Sequence, residues 1–229
     1  MNDTLALAPV ITIDGPSGAG KGTVARRIAR QLGFHLLDSG AVYRAAALHA
    51  VRAAAHLDDE ASVNRALDSL AVSFEPAEGG VRVGLDGRDV TAELRTETTA
   101  AAASRVATMA SVRSRLLDQQ RRFRIPPGLV ADGRDMGTVV FPDATLKIFL
   151  TASAEERARR RAKQLKEKGI DATMASLLEN IAERDRRDST RANSPLIAAE
   201  DAQVIDSSGI GVDVVISRIL EVFAERRDR

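Results

Sequence analysis

The sequence predicts an α/β protein: a doubly wound parallel sheet with helices on both faces, interrupted by an inserted subdomain that contains a small antiparallel sheet. Three observations predict it. Short apolar runs recur along the 229 residues and are separated by long helical patterns. The first run stops at a glycine-rich loop that opens directly into a helix. Around residues 71–85 the hydrophobic period falls to two, the spacing of a half-buried strand pair.

The elements follow in order. Val10-Ile11-Thr12-Ile13-Asp14 is a β-branched run ending at Gly15, and the helical pattern from Thr23 to Leu32 puts Val24, Ile28 and Leu32 on one face before Gly33 stops it. Later strand-like runs are Phe34 to Leu37, Leu129 to Ala131, Thr145 to Leu150 and Gln203 to Ile205. Between them, Ala71-Val72-Ser73-Phe74 and Val81-Arg82-Val83-Gly84-Leu85 alternate about Glu78-Gly79-Gly80, and Asp86-Gly87 follows, which predicts a hairpin with room for a third strand. Because it breaks the βαβ series without long linkers, it is read as an insertion spanning approximately residues 39–126 of a single domain. Residues 95–124 read as helical, with Val106, Met109 and Leu116 turned inward, until Pro126-Pro127-Gly128. An intensely charged helix covers 154–168, a second about 173–188 and a C-terminal one about 213–227.

Composition narrows the function. With 33 Lys and Arg against 32 Asp and Glu the net charge is +1, unlike a protein that coats duplex nucleic acid, and 3% aromatic content argues against a base-stacking platform. Of the 33 cations 28 are Arg, a residue whose planar fork matches phosphate oxygens. Cysteine is absent, so thiolate catalysis, disulfides and Cys-based zinc sites are excluded, and His35, His49 and His56 form no metal-binding spacing. No leader-like or membrane-spanning run is evident; a cytoplasmic monomer without nucleic-acid or membrane partners is expected.

The sharpest motif is Gly15-Pro16-Ser17-Gly18-Ala19-Gly20-Lys21-Gly22-Thr23, set between a strand and a helix as a P-loop must be. Its glycines let backbone N–H groups point at phosphate, the helix N-terminus adds positive potential, and Lys21 reaches the transferring phosphates. Gly22 stands where the usual pattern has Ser or Thr, so the role of Thr23 toward Mg²⁺ stays open. ATP is the expected donor. No Asn-Lys-x-Asp guanine-reading motif occurs, and the Gly-Lys-Gly-Thr ending resembles nucleoside monophosphate kinases. Independently, Arg184, Arg187, Asp188 and Arg191 share one face if their stretch is helical, a pattern shared by an ordinary ion-paired surface helix. Asp132 and Arg134 follow an apolar run, at the carboxyl edge where wound sheets place ligands.

Across essentially the whole chain these features resemble the bacterial cytidylate kinase family. The resemblance rests on the P-loop run from Ile13 to Thr23, on Leu37-Asp38-Ser39-Gly40-Ala41-Val42-Tyr43-Arg44, and on the run from Ala131 to Pro142 containing Asp132-Gly133-Arg134-Asp135-Met136-Gly137. It implies phosphorylation of CMP and dCMP by Mg·ATP, with the insertion as a monophosphate-binding subdomain and approximately residues 153–172 as a short helical lid. It also implies that Ser104, Arg113 and Asp135 look onto the base. Asp135 would accept from the cytosine amino group, which uracil lacks. Arg44, Arg134 and Arg191 are implied around the acceptor phosphate, Ser39 beside the base or sugar, and Arg184 and Asp188 at phosphate and ribose. Lys21, Arg134 and Arg191 are thereby the catalytic candidates. One or two of Arg157, Arg160 and Arg161 are candidates to meet ATP, and Tyr43 is unassigned. The competing readings are a kinase for UMP, shikimate or a coenzyme precursor, and a P-loop ATPase whose turnover depends on nucleic acid.

Overall fold

The structure, a computed structural model, describes residues 7–77, 80–167 and 169–227. In chain order the elements are β1 (Val10–Asp14), α1 (Lys21–Leu32), β2 (His35–Asp38), α2 (Ser39–Arg52), α3 (Glu60–Ala66), β3 (Val72–Ala77), β4 (Gly80–Leu85), β5 (Arg88–Asp89), α4 (Glu97–Val106), α5 (Ala110–Arg121), β6 (Leu129–Gly133), β7 (Leu146–Thr151), α6 (Ala154–Glu167), α7 (Met174–Thr190), β8 (Gln203–Asp206) and α8 (Val212–Arg227). They fall into two compact units, residues 1–35 with 124–229, and residues 36–123.

The first unit is built on a sheet of order β2-β6-β1-β7-β8, entered by β2 at His35, whose N–H donates to Gly128 at 2.8 Å. β1 runs parallel to both β6 and β7, and β7 parallel to β8. All five residues of β1 are buried, as expected for a central strand covered on both faces. The α1 helix turns Val24, Ala25, Ile28 and Ala29 to the core and ends at Gly33, whose φ of 68° is the left-handed stop that the sequence predicts. It starts at Lys21, two residues before the predicted Thr23, because Gly20 occupies the cap position. In α8 the buried positions are Val215, Ile216, Ile219 and Phe223, and Phe223 meets the edge of Phe34 at 5.8 Å between ring centroids. The chain leaves β1 toward one side of the sheet and later fills the other with β7 and β8. The carboxyl ends of β1 and β6 therefore flank the point where the winding reverses, the place for a ligand in such sheets.

The second unit packs α2 against an antiparallel sheet of order β3-β4-β5. Ala41 and Ala45 join Val83, Leu85, Val90 and Leu94 in its core, with Phe74 partly buried beside them. The predicted hairpin and its short third strand are present; Glu78 and Gly79 of the turn signal lie outside the described residues. One difference concerns 95–124, read as helical with Met109 turned inward. The chain forms α4 and α5, broken at residues 107–109, and Met109 is the half-buried cap residue of α5 rather than a core position. Thr96 starts α4 by accepting the N–H of Thr99 at 3.3 Å.

Candidate active site

The P-loop joins β1 to α1 through a conformation only glycine permits. Gly15 has φ of 148°, and a Cβ there would lie 1.9 Å from the Leu150 carbonyl oxygen, so the loop leaves the sheet against the end of β7 with no space for a side chain. Gly20, at φ 97°, turns the chain into α1. Lys21 is 7% exposed and donates from Nζ to the Pro16 carbonyl at 2.9 Å. Burial, reinforced by the positive charges of Arg134 and Arg184, lowers its pKa to about 7 against the opposing pull of Asp132 and Asp14. A buried cation crowded by other cations and facing helix-start amides is a site that a polyanion stabilises.

The adjacent strand supplies the neighbouring groups. Register pairs Ile13 with Asp132 and Asp14 with Gly133, so Asp132, Arg134 and Asp135 leave the end of β6 beside the start of the P-loop. A Cβ on Gly22 would stand 3.1 Å from the Asp132 carboxylate. Arg134 pairs through Nε with Asp188 of α7 at 2.7 Å. Burial raises the Asp188 carboxyl, but Arg134 outweighs it together with Arg184 and Arg191, and the net shift is downward. Asp135 is 3% exposed and immediately precedes a π-helical turn at Met136–Val140, a local widening common at functional sites. Within the first unit Arg134 and Arg184 thus act electrostatically on both Lys21 and Asp188, with Asp132 acting on Lys21 and Arg191 on Asp188. The predicted shared helical face stops short of Arg191. α7 ends at Thr190, and Arg191 is extended, with φ −62° and ψ 137°, its Nε donating to the Ser194 carbonyl.

The remaining predicted residues belong to the second unit. Asp38 caps α2 by accepting the Ala41 N–H at 2.8 Å and also takes Arg44 Nη2 at 3.1 Å. Arg44 folds back over the helix start so closely that a Cβ on Gly40 would lie 2.9 Å from its Nη1, and its Nε is buried with no hydrogen-bond partner among the described residues. Ser39 is buried and donates to Gln120 Oε1 of α5 at 2.8 Å. Arg113, also buried, lies 5.5 Å above the Tyr43 ring and donates to the Ala107 carbonyl at 3.2 Å, which accounts for the unassigned tyrosine as a platform for a guanidinium. Ser104 is half-buried on α4.

The structure gives two groups contacts that the sequence reading did not foresee. Arg157, in a helix whose pattern reads as solvated, is 5% exposed. It bonds Asp185 of α7 through both terminal nitrogens, at 3.0 and 2.7 Å, and donates to the carbonyls of Ala152 and of Ser17 in the P-loop. Arg160 similarly reaches the Ala19 carbonyl at 3.1 Å and Ser207 beyond β8. Both hold loop carbonyls, whereas Arg161, half-buried like Arg160, is bonded to Gln164 of its own helix. The second group is Asp14, buried at the end of β1. Asp14 lies within the Ile13 to Thr23 run, but nothing in that run says what its carboxylate bonds, so only the fold reveals its partners.

Comparison with known proteins gives one consistent result. A family model described as Cytidylate kinase matches residues 11–225. A curated cytidylate kinase from Aeromonas salmonicida is 54% identical over 221 residues, covering 96% of each chain. One from Nitrosomonas europaea is 52% identical over 219 residues, again 96% of each, and one from Proteus mirabilis 53% over 214 residues, 93% of this chain and 95% of that protein. Among solved structures, a shikimate kinase from Acinetobacter baumannii aligns over 97% of this chain and 96% of its own with a TM-score of 0.46 and 15% identity, too distant to weigh in the assignment.

Proposed function

The chain belongs to the cytidylate kinase family, whose members transfer a phosphoryl group from ATP to CMP or dCMP, and from that premise we propose how its own residues carry the transfer. The observation that supports the account most is the buried Lys21, held among Arg134, Arg184 and Asp132 at the mouth of the P-loop. Residues 15–23 cradle the ATP phosphates, and Lys21 follows the transferring group. Nucleotide phosphate supplies the negative charge this cluster lacks, so binding and proton retention on Lys21 reinforce each other.

The acceptor needs no general base. The second pKa of a phosphate monoester is about 6, so CMP is already mostly a dianion at neutral pH. Catalysis is then alignment and charge compensation. Arg44, Arg134 and Arg191 hold the acceptor phosphate, with Arg184 and Asp188 at phosphate and ribose and Ser39 at base or sugar. Asp135 accepts from the cytosine amino group while Arg113 and Ser104 donate to the ring acceptors. Uracil would set a carbonyl against the Asp135 carboxylate, two acceptors with no proton between them.

Mg²⁺ fits this donor set. It keeps most of its waters and takes one or two protein carboxylates alongside phosphate oxygens, and Asp132, close against Gly22, is the carboxylate available to it. When bound it would offset charge on the ATP phosphates. Thr23 Oγ accepts from Arg26 at 3.4 Å and is the nearby hydroxyl, in place of the one Gly22 lacks. The protein is further proposed to act as a cytoplasmic monomer; among the described residues no helix is long and apolar enough to cross a membrane.

The base-reading assignment is tested with Asp135→Ala. Its preference for CMP over UMP, as kcat/KM, falls at least about 100-fold, the scale expected when a buried polar contact is lost, while KM for ATP stays within about twofold. An unchanged preference would remove Asp135 from the base site.

A further inference from the structure

The turn that carries Arg134 and Asp135 is capped from elsewhere in the chain. A residue preceding a helical turn ordinarily satisfies the first N–H groups with its own side chain, and Asp is among the best at it. Asp135 holds that position before Met136–Val140, yet its side chain makes no cap hydrogen bond. The acceptor is Asp14, on the neighbouring strand. Its Oδ1 takes the Met136 N–H and its Oδ2 the Gly137 N–H, both at 2.8 Å, and all three residues are buried.

We propose that Asp14 is a positioning residue for the acceptor half of the reaction: by capping the 136–140 turn from β1 it fixes the backbone of Arg134 and Asp135 and leaves the Asp135 carboxylate uncommitted to the cap. This rests on the reading of Arg134 and Asp135 as acceptor-binding groups. Three features of the structure make the arrangement specific. Asp14 pairs in register with Gly133, so the carboxylate leaves the sheet directly beside the residue preceding Arg134. The turn has no slack at Gly137, where a Cβ would fall 2.9 Å from Thr12 Oγ1 and 3.1 Å from Lys147 Cδ. Its wide hydrogen bonds, Val140 N–H to the Asp135 carbonyl at 3.2 Å and Phe141 N–H to the Met136 carbonyl at 2.7 Å, leave the first two amides to Asp14. Those two bonds also lower the Asp14 carboxyl against a larger upward push from burial, to which Asp135 adds and Lys21 is opposed; the outcome is a pKa of about 6, so the cap is ionised at neutral pH.

Asp14 also adjoins Gly15 and its charge acts on Lys21, but it is the weakest of the charges named there, and the P-loop backbone is held separately, by its glycine conformations and by Arg157 and Arg160 on its carbonyls. Loss of the cap is therefore felt on the acceptor side. The experiment measures KM for CMP and for ATP in Asp14→Asn, which sets an amide donor against one of the two N–H groups, and in Asp14→Ser. The serine variant removes the buried charge and keeps a small hydroxyl, and so folds where the amide is not tolerated. KM for CMP should rise about tenfold or more, from loss of alignment, with KM for ATP changing about twofold at most. A purely structural role would lower the active fraction and leave both constants in place. Equal changes in the two constants, or no change in either, overturn the proposal. Asp135→Ala run in parallel separates the two claims: an intact CMP preference there sinks the base reading, while the KM split in the Asp14 variants still reports on the turn through Arg134.

Discussion

At the scale of single residues, Lys21 is held in a state that costs the ligand-free protein stability. Its ammonium is charged in the unfolded chain up to pH 10.5 but only up to about 7 in the fold, chiefly because it is buried. Below pH 7 both states carry the charge and the full cost is present; between 7 and 10.5 the cost shrinks as pH rises, since the unfolded state then binds more protons. Lys21→Met should therefore unfold at a higher temperature than the natural chain, by about 5 °C or more at pH 6.5, with the gain fading toward pH 10. Its turnover should nevertheless fall at least about 100-fold, since the group neutralising the transferred phosphate is gone. Thermal melts across pH check the first part and steady-state rates the second; a lower melting point at pH 6.5 would contradict the burial argument. Asp135 differs from Asp14: both stand in quoted motifs, but only for Asp135 does the resemblance imply a role. Asp14 stands one residue before a motif glycine, and nothing in the sequence says its carboxylate faces two amides far along the chain.

At the scale of elements, legibility followed the hydrophobic pattern. β1 and α1 show it clearly, and they end where expected at Gly15 and Gly33. α2 does not: Ala41, Val42, Tyr43, Ala45, Ala46, Ala47 and Ala50 are all buried, so it is covered nearly all round and presents no apolar stripe to read. α6 misleads in the opposite direction. Its run of Glu and Arg reads as solvent-facing, yet Ala158 and Leu165 pack against Leu177 of α7, and Arg157 is buried between loop carbonyls and Asp185. The helical pair is thus held by one bidentate ion pair as well as an apolar seam. Removing one partner strands the other charge in a poorly hydrated place. Asp185→Ala should destabilise the protein by about 2–3 kcal/mol in urea unfolding, whereas the double change Arg157→Met with Asp185→Leu should cost less than Asp185→Ala alone. A loss under about 0.5 kcal/mol for Asp185→Ala, the ordinary value for an exposed pair, would mean that the bridge contributes nothing of this kind.

At the scale of the whole molecule, the near-neutral total charge of +1 hides a sorted distribution. Many arginines pair on the surface, as Arg52 does with Glu93 and Arg105 with Asp58, while Arg134 is drawn in among buried groups around Lys21 and Asp188. Composition alone could exclude a nucleic-acid coat, and the P-loop context could announce ATP. The acceptor was legible only through resemblance, because most of its residues are scattered along the chain and the one periodic set, Arg184, Asp188 and Arg191, reads equally as an ion-paired surface helix. The most direct test is a panel of purified nucleoside monophosphates offered with Mg·ATP while ADP release is followed. CMP and dCMP should drive ADP formation well above the rate without acceptor, and UMP, AMP and GMP should do so far less. A rate with CMP and dCMP no higher than the blank, or one raised instead by added DNA or RNA, would contradict the account.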